Sequence, residues 1–292
     1  MDLEQSAFEA LRFASAQSLK LYKQPLVITY SGGKDSDVLL HLAGKSGIPY
    51  EVLHSLTTAD APETVWHVRE TFRRLELANV KCIIDTHRTP DGGNVTMWNL
   101  IPKKMMPPTR WMRYCCAELK EGGAKGRFVA TGVRWAESPK RKGRGMLEVQ
   151  HGDIKKRLTL MNDNDETRMQ FENCQMKGRR VVNPIIGWDN KAVWDYVAME
   201  HIPMNPLYGC GHTRVGCIGC PLASKRARIE GFIIWPKYKQ SYIRAFDRML
   251  EVRRMAGKSG SWQTGVDVFH AWMENGVLPG QEVLEEFRED LI

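Results

Sequence analysis

The chain has 292 residues, 42% of them hydrophobic, with nine Trp, eight Tyr and nine Phe. That aromatic and apolar content excludes an intrinsically disordered protein and suits one large domain, or a core domain with an appendage. Lys plus Arg number 42 against 34 Asp plus Glu, a net charge of +8, and seven cysteines are too few and too odd for a disulfide framework. No apolar run approaches the length of a membrane span. The acidic first ten residues lack the apolar core of a secretory signal. A cytoplasmic protein without a membrane partner is the default expectation.

In chain order, Phe8, Leu11, Phe13, Ala14 and Leu19 recur at helical spacing and predict an amphipathic helix over 3–21. Residues 25–30 form a short apolar run that predicts a buried strand. A Gly-rich turn follows at 31–34, then a helix over 35–45 with Val38, Leu39, Leu42 and Ala43 inward. A second strand is predicted at 50–55, a helix at 62–77, a third strand at 80–85, a helix at 109–121 and a fourth strand at 127–131. Strand–helix alternation predicts an α/β fold, a doubly wound, mostly parallel sheet with its ligand beyond the carboxyl ends of the strands.

The pattern weakens after Glu137. The polar stretch 138–180 is expected to hold a mobile loop or a hairpin. A fifth strand follows at 181–186 and a helix at 190–200. The Gly-, Cys- and Pro-rich stretch 204–221 reads as a loop. Residues 224–255 read as helical with a break at Pro236, which makes the last part a C-terminal helical appendage. The expected domains are 1–222 and 223–292.

Charge is uneven along the chain. Residues 222–258 carry ten Lys/Arg against three Asp/Glu, 134–157 carry eight against three, and 271–292 carry six acids and one Arg. Basic stretches of this kind are either solvated helix faces or seats for a polyanion. Trp235, Tyr238, Tyr242 and Phe246 lie within the first stretch and are equally suited to stacking on bases and to packing a helix core.

Ser31-Gly32-Gly33-Lys34-Asp35-Ser36 follows a predicted strand and opens a predicted helix. Two glycines allow close backbone approach, and the helix start offers N–H groups and positive charge to a phosphate. Lys34, Ser31 and Ser36 add donors. Asp35 is unusual beside an anion and suits Mg²⁺ or a cap. The spacing is not that of the Walker loop.

Cys210-x6-Cys217-x2-Cys220 is a compact thiol group set among glycines. Four thiolates are the usual set for an iron–sulfur cluster, and also for zinc. The fourth must come from far away in sequence, with Cys115 or Cys116 the natural donor. The expected set is Cys115, Cys210, Cys217 and Cys220, with Cys116 as substitute and His212 as a further donor. Cys82 and Cys174 read as packing residues.

The hexapeptide 31–36 resembles the PP-loop of ATP pyrophosphatases, which cleave ATP between the α- and β-phosphates. Three further segments resemble the phosphoadenosine-phosphosulfate (PAPS) reductase branch, DNA-phosphorothioation members included. Thr57-Thr58-Ala59-Asp60-Ala61-Pro62-Glu63-Thr64 is similar to its Asp-Thr-Gly-x-x-x-Pro-Glu-Thr segment, with the leading Asp-Thr-Gly degraded. Gly132-Val133-Arg134-Trp135-Ala136-Glu137-Ser138, followed by Arg141, is similar to its Gly-x-Arg-x-x-Glu-Ser-x-x-Arg segment. Residues 183–186 through Asn205-Pro206-Leu207-Tyr208 resemble the segment joining core to tail, and Tyr114-Cys115-Cys116-Ala117-Glu118-Leu119-Lys120 the early part of a cluster-binding set.

The resemblance covers about 25–222. It implies an adenine nucleotide alpha hydrolase-like fold. It also implies ATP with Mg²⁺ held by Ser31, Gly32, Gly33, Lys34, Asp35, Ser36, Thr58, Gly132 and Arg134, with Lys34, Asp35, Arg134 and Arg141 as catalytic residues. A 4Fe-4S cluster, or Zn²⁺, is implied at the cysteines. The activity it implies is adenylylating ATP pyrophosphatase chemistry in sulfur transfer to a small molecule or a nucleic acid, the latter through 222–258. A homo-oligomer or a partner protein is a further expectation. Two alternatives stay open. One is reduction of adenylyl sulfate or PAPS, although no Cys follows Cys220 to act as nucleophile. The other is a non-catalytic nucleotide-binding adaptor.

Overall fold

The computed structural model describes residues 2–89, 91–120, 123–124, 126–150, 158–162, 164–173, 178–258 and 260–274. Cys174 and the acidic stretch beyond residue 274 lie outside the described residues. The elements in chain order are α1 (Leu3–Tyr22), β1 (Leu26–Thr29), α2 (Lys34–Lys45), β2 (Tyr50–Ser55), α3 (Pro62–Leu77), β3 (Cys82–Asp85), α4 (Met97–Lys104) and α5 (Tyr114–Leu119). They continue with β4 (Phe128–Ala130), β5 (Leu147–Gln150), β6 (Leu158–Leu160), α6 (Asp165–Asn173), β7 (Arg179–Val182), α7 (Asn190–Met199), α8 (Pro206–Gly209), α9 (Lys225–Ile234), α10 (Pro236–Met255) and α11 (Gly265–Glu274). No helix among the described residues is long and apolar enough to cross a membrane.

The chain divides into two compact units. The first holds the described residues of 1–55, 62–85 and 123–215, the second those of 56–61, 86–122 and 216–292. The sequence reading drew one boundary, at 222.

In the first unit the strand order is β3-β2-β1-β4-β7-β5-β6. The five strands from β3 to β7 are parallel, and β5 runs antiparallel to both β7 and β6. This is the expected doubly wound, mostly parallel sheet. The order reverses between β1 and β4, and the loop leaving β1 therefore opens at a topological switch point, where such sheets bind ligands. Leu11, Ile28, Leu39, Val52, Phe128 and Phe171 join one core between sheet and helices. The antiparallel strands β5 and β6, with α6, come from the stretch expected to be a loop or hairpin. The fifth parallel strand ends earlier than expected, at Val182. Pro184 has no N–H for a ladder, and the Ile186 N–H turns back to the Asn183 carbonyl at 3.1 Å.

The second unit is helical, as the expected appendage is, but it also contains α4 and α5. The helix expected over 109–121 is confined to Tyr114–Leu119. Buried Thr109 accepts the Met112 N–H at 2.9 Å on its hydroxyl, holding the preceding residues in a turn. Helix α4 was not expected. Thr96 and Asn99 cap it reciprocally: the Thr96 hydroxyl takes the Asn99 N–H at 3.2 Å, and the Asn99 side chain takes the Thr96 N–H at 2.7 Å. Tyr242 and Phe246 are core residues and not a stacking surface, at 1% and 0% exposure. They join a ring cluster with Phe232 and Trp272, the latter with its ring centre 4.8 Å from that of Tyr242, and Phe269 packs against Phe232 and Trp272 in turn.

Candidate functional site

The loop between β1 and α2 is held from several directions within the first unit. Gly32 has φ +72, and a Cβ there would lie 2.9 Å from Val68 Cγ2, so both conformation and space demand glycine. The Gly32 carbonyl accepts the Asn205 amide at 2.9 Å, and the same amide reaches Thr64 Oγ1 at 3.1 Å. The Tyr208 hydroxyl accepts the Lys34 N–H at 2.9 Å. Burial raises the Tyr208 hydroxyl to about 12, against the pull of that hydrogen bond, which keeps it a neutral phenol. Ser36 Oγ accepts the N–H groups of Ser31 and Gly33, both at 3.2 Å, and donates to the Gly33 carbonyl at 2.7 Å. Ser36, expected to donate to a phosphate, braces the loop.

Beneath the loop lies a buried polar group. Asp37 Oδ1 accepts the Tyr30 hydroxyl at 2.6 Å and meets His67 Nε2 at 3.0 Å, and Tyr30 also reaches Thr71. These four side chains fasten the end of β1 to α2 and α3.

Lys34 and Asp35 are ion-paired at the start of α2, Nζ to Oδ2 at 3.0 Å. The other Asp35 oxygen takes Arg134 Nε at 2.7 Å. Arg134 has 0% exposure. Its remaining terminal nitrogens donate to the Trp188 carbonyl at 3.0 Å and Asn190 Oδ1 at 2.9 Å. In this structure the buried guanidinium is engaged by three protein acceptors, and it fixes Asp35, and through it Lys34. Gly132 likewise serves packing. A Cβ there would lie 2.9 Å from the Asp35 carbonyl oxygen, so glycine lets the end of β4 approach the first turn of α2.

Arg141 pairs with Glu137. Burial pulls its guanidinium below the usual arginine range, Glu137 opposes this, and the nearby cations Arg214 and Arg144 add to the fall. Arg144 is bound to Glu148 at 2.6 Å. Exposed Arg214 makes no ion pair among the described residues and acts electrostatically on both Arg141 and Tyr208. Lys34, Asn190, Trp194, Tyr208 and His212 help line a cavity of about 370 Å³. Of the residues expected from sequence, Lys34 lines this cavity and is paired with Asp35. Sequence reasoning gave Asn205, Tyr208 and Arg214 no role around the loop, although the first two stood in a segment already singled out. The N–H groups of Ser31, Gly33 and Lys34 are thus engaged within the protein, and the Lys34 ammonium keeps two hydrogens for a phosphate.

Tyr208→Phe would leave the Lys34 N–H without its acceptor. The expected cost is about 1–2 kcal/mol of stability, read by chemical denaturation of the two proteins.

The second unit gathers thiols. Cys115 and Cys116 open α5, and Cys217 forms an antiparallel bridge with Asp60 while the Ile218 N–H meets the Ala59 carbonyl at 2.8 Å. The Cys115 thiol is raised far above its usual range, first by a hydrogen bond with Cys116, then by burial, then by the charges of Cys116, Cys217 and Cys220. Burial raises Cys217 to about 11, opposed by Lys120. Lys120 is itself raised, chiefly by Cys217. Buried Arg228 lies over the Trp272 ring at 4.2 Å, and burial lowers it to about 10. Its Nε and Nη2 have no hydrogen-bond partner, and it feels the charge of Cys220. Among the described residues no three His, Cys, Asp or Glu side chains are grouped so as to hold a metal ion.

Cys210 and His212 belong to the first unit, where Cys210 is exposed at the end of α8. Thr58 belongs to the second, where its hydroxyl accepts the Met97 N–H at 3.0 Å and donates to the Thr57 carbonyl at 2.6 Å.

Several known proteins resemble this chain. Sulfate adenylyltransferase subunit 2 of Rhodopseudomonas palustris is 27% identical over 214 residues, covering 70% of this chain and 60% of the relative. Adenosine 5′-phosphosulfate reductase of Bacillus cereus is 26% identical over 232 residues, covering 76% of this chain and 82% of the relative. The chain spans about 60% of the length of the sulfate adenylyltransferase relatives it matches. Among solved structures, PAPS reductase of Candida auris in a phosphate complex has a TM-score of 0.45 and 19% identity, covering 72% of this chain and 87% of that one. Residues 25–223, more than half of the sequence, match the phosphoadenosine phosphosulfate reductase domain, and the chain belongs to that family.

Proposed function

We propose that the chain binds ATP at residues 31–36 and cleaves it between the α- and β-phosphates, transferring the adenylyl group to an acceptor used in sulfur chemistry. The observation that carries this reading is the Lys34–Asp35–Arg134 chain at the start of α2, on a loop braced at Gly32, Lys34 and Ser36. The helix start and the Lys34 ammonium would hold the terminal phosphates. One ammonium hydrogen is committed to Asp35, and two remain for phosphate oxygens. Arg141 and Arg214 would supply further positive charge where it gathers on the leaving pyrophosphate. The acceptor oxygen bonds to the α-phosphorus while the bridging oxygen departs with the pyrophosphate. Preorganised charge does most of the work in such a transfer. Both Asp35 oxygens already meet cations, so Mg²⁺ would arrive on the nucleotide's own phosphates.

We also propose Cys115, Cys116, Cys217 and Cys220 as the four-thiolate set, with Cys116 in the place expected for Cys210. All four belong to the second unit, and Cys115 feels the charge of the other three, which supports this. A four-iron centre held there would supply redox-active iron and acid-labile sulfide. Lys120 and Arg228 would balance the thiolate charge.

Two assays test the reading. Anaerobic protein should release pyrophosphate from ATP, whereas sulfite from adenylyl sulfate with ATP left intact would establish a reductase instead. Iron content separates the thiols: Cys116→Ser should lose most of its iron and Cys210→Ser should keep it. The reverse result would restore Cys210 to the set.

A further inference from the structure

Helix α10 carries a basic face unrelated to either site above. Lys237, Ser241, Arg244 and Arg248 recur at steps of four, three and four, so they share one side of the helix. Trp98, from the adjoining α4, joins Ser241, Arg244 and Arg248 around an open cavity of about 530 Å³.

The chemistry of that cavity is one-sided. Arg248 donates to the Trp98 carbonyl at 2.9 Å, and Arg244 to Ser241 Oγ at 3.2 Å. Each guanidinium thus spends one of its five N–H donors on a neutral oxygen. Neither of them, nor Lys237, has a carboxylate partner among the described residues. Asp247, the acid nearest in sequence, is bound to the Gly265 N–H at 2.6 Å. The Trp98 indole is held by edge contact with Tyr242, ring centres 5.1 Å apart, and by Tyr238 at 6.2 Å.

Two guanidiniums without a carboxylate partner among the described residues, beside a fixed, half-buried indole, suit a phosphate joined to a planar base. Bases offer their faces to aromatic side chains only when unpaired. The basic face extends beyond the cavity. The eleven residue steps from Lys237 to Arg248 span roughly 16 Å at the α-helical rise. One nucleotide cannot fill that length, whereas a strand with phosphates about 3.4 Å apart along its axis can.

We propose that Trp98, Ser241, Arg244 and Arg248, continued by Lys237, form a binding site for single-stranded nucleic acid. The groove receives one base and its phosphate, and the rest of the helix face follows the backbone.

The test is fluorescence anisotropy of the full chain with a labelled twelve-nucleotide thymidylate strand across a salt series. Arg244 and Arg248 are exposed, so the double variant Arg244→Gln, Arg248→Gln should keep the native circular dichroism and melting temperature. It is expected to bind at least about tenfold more weakly, with the log–log salt slope reduced by about 1.4 for two lost phosphate contacts. Lys225→Gln, an exposed change on α9, should alter affinity less than about twofold, as surface cations outside the groove should. The proposal is overturned if the strand does not bind, or if Lys225→Gln weakens binding as much as the double variant. It is also overturned if a duplex of the same length binds as tightly as the single strand, or if thymidine monophosphate competes equally, mole for mole.

Discussion

Lys34→Ala is expected to lower pyrophosphate release from ATP by about 10²–10³-fold, the usual loss when one preorganised charge donor leaves a transition state. Lys34 is 8% exposed, and its ammonium is held by Asp35 at 3.0 Å. It therefore spends little conformational freedom on meeting a phosphate. Its removal leaves Asp35 paired with Arg134, so the loop keeps its internal hydrogen bonds and the fold should survive. Circular dichroism and melting temperature check that point while initial rates report the chemistry. A variant that releases pyrophosphate at the parent rate would remove Lys34 from the mechanism.

Arg134→Met is expected to act chiefly on stability. It strands Asp35 Oδ1, the Trp188 carbonyl and Asn190 Oδ1 in an interior where Arg134 has no solvent contact. Removing one partner of a buried ion pair costs about 3–5 kcal/mol. Asp35 keeps 18% of its side-chain surface exposed, which places the loss toward the lower end. A fall in melting temperature on the order of 10 °C follows. Arg134→Lys should recover only part of this, because one ammonium cannot reach three diverging acceptors. If Arg134→Met melts like the parent and loses only ATP affinity, Arg134 meets the nucleotide directly and the positioning role assigned to it is wrong.

The contrast between these two cations marks what the sequence could convey. A Gly-Gly turn between an apolar run and a helical pattern exposes its purpose, because conformation, space and charge all act within six residues. The charge of Arg134 is visible in sequence, whereas its partner, 99 positions earlier, is not. The thiols hide a similar fact. The spacing of Cys210, Cys217 and Cys220 suggests one loop, yet the chain passes from the first unit to the second between Cys210 and Cys217.

Helix α4 escaped notice because Asn99 fills the capping position where Glu or Gln is the usual signal, and because Pro102 interrupts its short pattern. By contrast, Tyr242, Phe246 and Met249 stand about one helical turn apart along α10, a spacing that fits a core as well as a stacking face, and only their burial decides for the core. Asn205 and Tyr208 were visible as a segment, but their hold on Gly32 and Lys34 is a tertiary fact carried by side chains more than 170 residues away.

The most direct measurement follows the phosphorus atoms. In a ³¹P NMR time course of ATP with the anaerobically prepared protein, inorganic pyrophosphate and an adenylyl product should appear together, in equal amounts. ADP with orthophosphate would place the cleaved bond elsewhere and contradict α–β cleavage at residues 31–36.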